Sequence, residues 1–338
     1  MDLQWINGTD DVAEMATKTN VNFNALEEGV SEDIATAKTE AITETQTWTK
    51  GTFSNPNLLP NGDFQVWQRG TVFTNVAGVY TADRWLNHIS NSNVSRQVNT
   101  SPTPCEYSLL LEKQDGLYGY ARISQILESY SVFSGLPMTL SLYARGTGGF
   151  VGDLRSYLGS TDKSNALTSE WQKIEYTVAS ATFGSDTYQK GVSFFIETTA
   201  IGQGVELAAV KLELGSVATP FVPRPYGEEL ALCKRYYQTI NVNTRNRANS
   251  ITPGTLSFYF PISEMRISPT MVMHGTEETD YAVRTLAGTA ATGFTYAISA
   301  LTTPNQFGLN ANKASHGLPD GVFAITTSDG YIALDAEL

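Results

Sequence analysis

The chain has 338 residues, and its 22 Lys and Arg against 34 Asp and Glu give a formal net charge of −12 at pH 7. With 41% hydrophobic and 17% charged residues, the composition is typical of a globular protein and excludes a disordered chain, which is richer in charge and poorer in aromatic residues. The negative charge repels phosphate backbones and anionic lipid, so neither nucleic acid nor a membrane surface is an expected partner.

Cysteine usage and hydropathy indicate a protein made in a reducing cytoplasm. Cys105 and Cys233 stand far apart in segments with strand and helix patterns, so we expect two buried thiols and no disulfide framework. No secretory signal follows Met1, and no apolar run approaches the roughly 18 residues that a membrane span requires. We therefore expect no membrane insertion.

Residues 1–54 are predicted to form an acidic, coiled-coil-like helical segment. Residues 1–50 contain ten acidic residues and three lysines, so they carry −7 of the net charge. Apolar positions recur at steps of three and four with an 11-residue period, and the main seam residues are Phe23, Leu26, Val30, Ile34, Ala37, Ala41 and Trp48. Such a period suits a straight or slightly right-handed supercoil, in which three copies bury this thin seam. The alternative is a single amphipathic helix that packs on its own globular domain, which an interruption at Gly29 favours.

The composition changes near residue 51, and residues 55–224 are predicted to form a central jelly-roll β-sandwich. Short alternating runs separated by Gly, Ser, Asp and Pro turns, without intervening helices, are typical of antiparallel sheets packed face to face. The predicted strands are Ser108–Glu112, Tyr120–Ile126, Met138–Arg145, Trp171–Val178, Val192–Thr198 and Val205–Leu214.

A short connecting helix is predicted over residues 225–241, and the fold class is therefore mainly β with little helix. Pro225 stands at the start of this helix, acidic residues follow in the first turn and Lys234 comes later, an order that the helix dipole favours. Its predicted apolar face is Leu230, Cys233, Tyr237 and Ile240. Residues 242–338 are predicted to form a C-terminal β-sandwich tip whose last strand lies inside a sheet.

Motifs of several enzyme classes are absent from the sequence. No lysine follows a glycine, so there is no phosphate-binding loop of the Walker type, and no Gly-x-Ser-x-Gly nucleophile elbow occurs. His88, His274 and His316 are isolated from one another and lack the spacing of a zinc site. A glycosidase pair of carboxylates is recognised by its distance in space, so its presence stays open at the level of sequence.

Aromatic residues are the richest functional signal, with 16 Tyr, 15 Phe and 5 Trp. Sugar recognition needs flat apolar faces beside hydrogen-bonding groups, and loops rich in Tyr, Asn, Asp and Thr supply both. The candidate glycan-binding residues are Tyr118, Tyr120, Tyr157, Tyr188, Tyr281, Phe307 and Asn310. For any one of these rings, the alternative is packing in the core or against a cross-strand neighbour.

Several segments resemble bacteriophage tail-fibre and receptor-binding proteins. They are Asn57–Gly70, Thr81–Trp85, Lys211–Phe221, Pro223–Gln238, Phe260–Thr270 and Tyr331–Leu338. The resemblance implies a jelly-roll similar to carbohydrate-binding modules, a connecting helix and a β-rich tip. It also implies a homotrimer whose N-terminal segment docks on a phage baseplate or tail protein, in a virion assembled in the host cytoplasm.

The same resemblance suggests roles for individual residues. Asn61, Asp63 and Glu213 fall where related carbohydrate-binding modules often hold a structural calcium, although Gln65 replaces a common acidic ligand there. No other cofactor is implied. The repeated motif residues Arg69, Asp83, Arg84 and Arg224 are expected to form buried or inter-strand pairs, and receptor contacts are expected on variable loops.

The leading hypothesis is a trimeric, non-enzymatic fibre subunit that attaches a virion to bacterial surface polysaccharide. One alternative is a tailspike depolymerase that cleaves the glycan, although the sequence shows no internal repeat of the kind that builds a long parallel β-helix. Another alternative is a purely structural fibre or baseplate connector.

Overall fold

The computed structural model describes residues 17–18, 28, 30–38, 54–88, 92–114, 119–240, 250–252, 254–274, 281–284, 290–291, 294–303, 306–313, 324–327 and 331–337. The chain divides into two compact units, Met1–Asn55 and Pro56–Leu338. Among the residues in these ranges, no helix is long and apolar enough to cross a membrane.

Part of the predicted N-terminal helix is present in the first unit. Residues 30–38 are helical, and their seam residues Val30 and Ile34 are 54% and 63% exposed in the single chain. Ala37 on the same helix is exposed as well. The other seam positions, Phe23, Leu26, Ala41 and Trp48, lie outside the described residues. A coiled coil is therefore not shown, and the seam stays a prediction.

The second unit begins with a β-sandwich of two six-stranded antiparallel sheets. Its strands are β1 (Val72–Phe73), β2 (Val79–Tyr80), β3 (Leu86–Asn87), β4 (Ser92–Val98), β5 (Tyr107–Lys113), β6 (Tyr120–Ile126), β7 (Met138–Thr147), β8 (Gly152–Leu158), β9 (Thr161–Leu167), β10 (Gln172–Val178), β11 (Gly191–Glu197) and β12 (Gly204–Leu214). The first sheet has the order β1-β4-β5-β12-β7-β10, and the second has the order β2-β3-β6-β11-β8-β9. From β5 onward the chain crosses repeatedly between the sheets, as in a jelly-roll.

Alternating side chains of both sheets form one hydrophobic core. Leu109 and Leu111 from the first sheet face Ile123 and Phe194 from the second, and all four are fully buried. The mainly β architecture and the sandwich are therefore confirmed. Strands β1–β4, β8 and β9 were not predicted. In β9, the polar run Thr161–Leu167 lacks strand propensity and is held at the sheet edge by its pairing with β8.

The connecting helix (Tyr226–Lys234) is shorter than the predicted span of 225–241. Tyr237 and Ile240, predicted on its apolar face, lie instead in strand β13 (Tyr237–Ile240), which pairs with the last strand of the chain. The aromatic and β-branched side chains after Arg235 favour this strand, and the pairing partner is about 95 residues away in sequence. Local helix signals contain no information about a strand pairing between residues so far apart in sequence.

In the described part of the chain after the connecting helix, the strands form three small sheets. Their strands are β14 (Ser250–Thr252), β15 (Thr255–Pro261), β16 (Thr270–His274), β17 (Tyr281–Arg284), β18 (Ala290–Ala291), β19 (Thr295–Thr303), β20 (Gln306–Asn312), β21 (Ala324–Thr327) and β22 (Tyr331–Asp335). The sheets have the orders β13-β22-β16, β14-β15-β20-β19 and β18-β17-β21. Leu256 and Phe258 of β15 share a second core with Ile332 and Leu334 of β22. The last strand is central in its sheet, as predicted.

Buried arginines fasten the C-terminal strand to the sandwich, and we call Arg69, Arg84, Asp335 and Glu337 the C-terminal clamp. Arg69 Nη2 lies 3.1 Å from Asp335 Oδ2 and 3.4 Å from Glu337 Oε1. Arg84, 1% exposed, donates from Nη1 to Glu337 and from Nη2 to the Ile126 carbonyl at 2.7 Å. The predicted pairing of these motif arginines is therefore confirmed.

A second buried group joins the sandwich to the connecting helix. Glu229 is 2% exposed, accepts a hydrogen bond from the Asn61 backbone N–H at 2.6 Å and lies 3.1 Å from Arg224 Nη1. Asp63 is buried nearby, and its Oδ1 has no hydrogen-bond partner. Burial, and next the charge of Glu229, raise the pKa of Asp63 to about 7. The charge of Arg224 therefore acts on two carboxyl groups, those of Asp63 and Glu229.

Candidate functional site

The outer face of the second sheet carries aromatic and arginine side chains on three adjacent strands. Because successive residues of a strand point to opposite faces, burial of Ala121, Ile123 and Phe194 in the core directs their neighbours outward. The register places Phe195 of β11 directly opposite Arg122 of β6. On its other side, Phe195 lies opposite Arg155 of β8. Residues that are distant in sequence thus meet on one surface.

Arg122 lies at the centre of this surface, and we call Tyr120, Arg122, Tyr157, Tyr188 and Phe195 the Arg122 cluster. The guanidinium carbon of Arg122 is 4.0 Å from the ring centroid of Tyr188 and 4.9 Å from that of Phe195. It is 5.7 Å from the Tyr157 ring and 5.9 Å from the Tyr120 ring. All four distances are within the range of cation–π attraction.

Contacts between the rings make the cluster continuous. Tyr157 and Tyr188 meet edge to face, with centroids 5.7 Å apart and planes inclined by 77°. Tyr120 lies beside Phe195 at 5.2 Å. Such pairs add to the energy of apolar burial and restrict ring motion. The rings of Tyr120, Tyr157 and Tyr188 remain half-buried, so each keeps surface for a ligand.

Tyr188 reaches the sheet from a short 3-10 turn (Thr187–Gln189) rather than from a strand. The turn packs on β6, β8 and β11 and closes with a hydrogen bond from the Gln189 N–H to the Asp186 carbonyl at 2.9 Å. Ser193 of β11, one of the strands on which the turn packs, is fully buried, and its hydroxyl oxygen has no hydrogen-bond partner. The turn therefore adds a ring to the face that the strands alone do not supply.

Charged groups around the cluster are arranged unevenly. Arg155 donates from Nε at 3.2 Å and from Nη2 at 2.7 Å to the same oxygen, Oδ2, of Asp162, and its Nη1 lies 4.0 Å from Glu197. On the opposite side of Arg122, His88 Nε2 lies 2.5 Å from the Ser124 hydroxyl. Burial, and next the positive charge of Arg122, lower the pKa of His88 to about 4. His88 is thus neutral near pH 7.

The structure brings together three of the predicted glycan-binding residues, namely Tyr120, Tyr157 and Tyr188. Tyr118 lies outside the described residues, as do the side chains of Tyr281 and Phe307, whose backbones lie in β17 and β20. Asn310 is half-buried in β20 between β15 and β19, in a different sheet.

Sequence reasoning missed Arg122, Phe195 and Arg155. Two signals were available. Arg122 stands two residues after Tyr120 in a predicted strand, and this spacing places both on one face. Phe194 and Phe195 are adjacent, so one of the two rings has to point away from the core.

Of the side-chain oxygens predicted to hold calcium, Asp63 Oδ1 has no hydrogen-bond partner, and the others are already engaged within the protein. Asn61 donates to the carbonyls of Val66 at 2.8 Å and Asp83 at 3.0 Å, and its Oδ1 accepts from the Val66 N–H at 2.9 Å. Asp63 Oδ2 accepts a hydrogen bond from the Gln65 amide at 2.8 Å.

Glu213, the third predicted calcium ligand, already has a cationic partner. Its Oε2 lies 3.3 Å from the ammonium of Lys211 and accepts from the Thr219 hydroxyl, while its Oε1 accepts from the Thr219 N–H. In the described part of the chain, no group of three or more His, Cys, Asp or Glu side chains is arranged to hold a metal ion. The donor set present does not fit a calcium ion, because an ammonium already occupies one carboxylate.

The two cysteines are free and buried, as predicted. Burial raises the pKa of both the Cys105 and the Cys233 thiol, so neither has the thiolate character of a nucleophile or metal ligand.

No family model matches this chain, and no curated protein matches it. A solved structure of an arabinose-bound MgGH51 α-L-arabinofuranosidase is 21% identical with a TM-score of 0.35, over 50% of this chain and 28% of the enzyme. The CBM22-1 xylan-binding domain of Xyn10C from Paenibacillus barcinonensis is 14% identical with a TM-score of 0.30, over 50% of this chain and all of that domain.

A phage protein is also among the similar structures. The enzymatically active domain of tailspike protein 4 from bacteriophage CBA120 is 12% identical with a TM-score of 0.28, over 47% of this chain and 21% of that one. At these TM-scores the matches assign neither a family nor a function to the chain.

Proposed function

We propose that this protein is a phage receptor-binding fibre subunit that holds bacterial surface polysaccharide on the Arg122 cluster without cleaving it. The observation that carries the proposal is the convergence of Tyr120, Tyr157 and Tyr188 on one sheet face. Sugar rings present patches of C–H groups that pack on aromatic faces, and their hydroxyls need donors and acceptors at the edges. The tyrosine hydroxyls and the arginine guanidinium are groups of that kind.

Assembly as a homotrimer through the N-terminal segment is part of the proposal. The exposure of Val30 and Ile34 on helical residues 30–38 supports it, because an apolar seam of this kind is stable when other helices cover it. Three linked sites raise the strength of a weak sugar contact by roughly 10²–10⁴ when they engage one surface. The acidic N-terminal segment is the part proposed to dock on a baseplate or tail protein.

The absence of cleavage is proposed from where perturbed carboxyl groups lie. A glycosidase acid needs a raised pKa next to the bound sugar. Within the described residues, the carboxyl groups with a raised pKa are those of Asp63, Asp83 and Glu337, and burial is the main cause at each. Asp63 lies near Glu229 of the connecting helix, Asp83 accepts a hydrogen bond from the Gln68 N–H, and Glu337 belongs to the C-terminal clamp, so none of the three is part of the Arg122 cluster.

The test is binding of the full chain to a bacterial surface-polysaccharide array, with Tyr157→Ala and Tyr188→Ala as variants. Each substitution removes a stacking face, and we expect at least a tenfold loss of affinity. Tyr107→Ala is the matched control, because Tyr107 is a tyrosine of the first sheet that stacks with Arg96 at 4.4 Å. Equal losses in all three variants, or none, contradict the proposed site. Release of reducing ends from a bound glycan contradicts non-cleaving attachment and favours a depolymerase.

A further inference from the structure

Arg122 lacks the carboxylate partner that six other arginines of the described residues have, Arg84 among them. Within the described residues it forms no ion pair, and its Nε is buried without a hydrogen-bond partner. Other arginines lie 2.7–3.1 Å from a carboxylate oxygen, and these are Arg69, Arg145, Arg155, Arg224 and Arg235. In a protein with a net charge of −12, an arginine without a carboxylate partner at the centre of an aromatic surface indicates a ligand of negative charge.

The acidic groups near the cluster do not neutralise Arg122, because they have other partners. Asp162 is held by Arg155 at 2.7 Å, and Glu197 lies 4.0 Å from the same arginine. Asp153, one strand over, accepts a hydrogen bond from Ser164 at 2.7 Å. The negative charge of Asp186 acts on the Tyr188 hydroxyl. The lowered pKa of His88, whose second cause is the charge of Arg122, agrees with a locally positive site.

The aromatic rings hold the guanidinium in place without consuming its hydrogen-bonding capacity. Stacking on Tyr188 at 4.0 Å and contact with Phe195 at 4.9 Å restrict the plane of the group, while its donors lie in that plane. A fixed, planar pair of donors matches the two oxygens of a carboxylate or phosphate. The neighbouring half-buried rings of Tyr157 and Tyr120 lie where an attached sugar could stack.

We propose that the Arg122 cluster selects an acidic saccharide, with the oxyanion of the sugar accepting hydrogen bonds from Arg122 and the sugar ring packing on the surrounding tyrosines. This inference rests on the proposed glycan-binding function and specifies the class of glycan. The chemistry it names is a carboxylate or phosphate carried on a sugar. Because Asp162, Glu197 and Asp186 surround the site, one isolated acidic group per repeat suits it better than a densely charged polyanion.

The experiment compares matched acidic and neutral glycans on the full chain. The probes are bacterial polysaccharides with one uronate per repeat and their neutral carboxyl-reduced forms, and an oligosaccharide with a single phosphate and its dephosphorylated form. We expect the acidic member of at least one pair to bind roughly 10- to 100-fold more tightly, the range of a charge-assisted hydrogen bond. Preference for uronates or for the phosphorylated sugar identifies the source of the oxyanion, and either result supports the proposal.

Three variants separate charge recognition from sugar stacking. Arg122→Gln is expected to abolish the preference for acidic glycans, and Arg122→Lys to retain part of it, because a lysine keeps the charge but loses the planar pair of donors. Arg96→Gln is the matched control and is expected to change nothing, since Arg96 stacks on Tyr107 in the first sheet. Thermal unfolding of each variant verifies that it is folded.

Two results overturn the inference in different ways. Equal binding of acidic and neutral partners, with no effect of Arg122→Gln but a loss in Tyr157→Ala, leaves glycan binding in place and removes the acidic specificity. Failure of the wild-type chain to bind any glycan on the array removes the proposed function and, with it, this inference.

Discussion

In both the Arg122 cluster and the C-terminal clamp, arginine side chains stack on tyrosine rings, but the two groups differ in the partners of their arginines. In the clamp, Arg69 stacks on Tyr237 at 3.5 Å and Arg84 on Tyr236 at 3.6 Å, much as Arg122 stacks on Tyr188 at 4.0 Å. The clamp arginines also have carboxylate partners from the C-terminal residues, whereas Arg122 has none within the described residues. Charges that are neutralised inside the protein hold its parts together, and a charge left open is available to a ligand.

The largest expected effect that tests this comparison is on stability. Arg84→Met leaves the Glu337 carboxylate buried with less compensation, and we expect a loss of about 3–5 kcal/mol in the free energy of unfolding. Arg122→Met removes the stacking on the rings but leaves no buried carboxylate without a partner. We therefore expect its free energy of unfolding to fall by only about 1 kcal/mol. Urea unfolding of both variants gives the two values.

A double variant sharpens that result. In Arg84→Met combined with Glu337→Gln, no charge is left at the Glu337 position, so we expect part of the lost stability to return. If Arg84→Met and Arg122→Met destabilise the protein equally, the distinction between an arginine with a carboxylate partner and one without is wrong.

A smaller loss of stability is expected where the connecting helix joins the sandwich, because among the described residues one cation, Arg224, acts on both Asp63 and Glu229. The pKa of Asp63 is raised to about 7, from a value near 3.8 in the unfolded chain, so between these pH values the folded protein binds more protons. Its contribution to stability is therefore present at low pH and is lost as the pH rises through about 7. Asp63→Asn removes this loss and is expected to stabilise the protein at pH 8 by up to about 2–4 kcal/mol.

Unfolding measured from pH 5 to pH 8 checks the prediction for Asp63. The Asp63→Asn variant should show a smaller fall in stability over this range than the wild type. Asp162→Asn is the control, since the side chain of Asp162 is 38% exposed and its removal should change the pH dependence little. An unchanged slope in Asp63→Asn contradicts the assignment.

The smallest expected effect is electrostatic and concerns His88. Its pKa is lowered to about 4 by burial first and by Arg122 second, so Arg122→Gln should raise the pKa without restoring the ordinary value. The chain has three histidines, which makes NMR titration of the imidazole resonances practical. Arg96→Gln should leave the pKa of His88 unchanged, and an equal shift in both variants contradicts a local effect of Arg122.

Local pattern predicted six of the twelve strands of the sandwich but not the full candidate site. The predicted strands Tyr120–Ile126 and Val205–Leu214 match β6 and β12, because strand periodicity is a property of neighbouring residues. The polar strand β9 carries no such signal and forms because β8 pairs with it. Similarly, Tyr237 continues a helical pattern in sequence but lies in a strand opposite Asp335.

The amino-acid sequence was enough to predict that the protein is mainly β, that its cysteines are buried and free, and that Tyr120, Tyr157 and Tyr188 are candidate binding residues. These properties depend on composition, periodicity and residue chemistry, which a linear chain already contains. Three sets of contacts are visible only in the folded chain. The tyrosines lie around Arg122, Glu337 forms an ion pair with Arg84, and Lys211 forms an ion pair with Glu213, a predicted calcium ligand. Each of those contacts joins residues through sheet register or packing, and register depends on which strands pair across the whole fold.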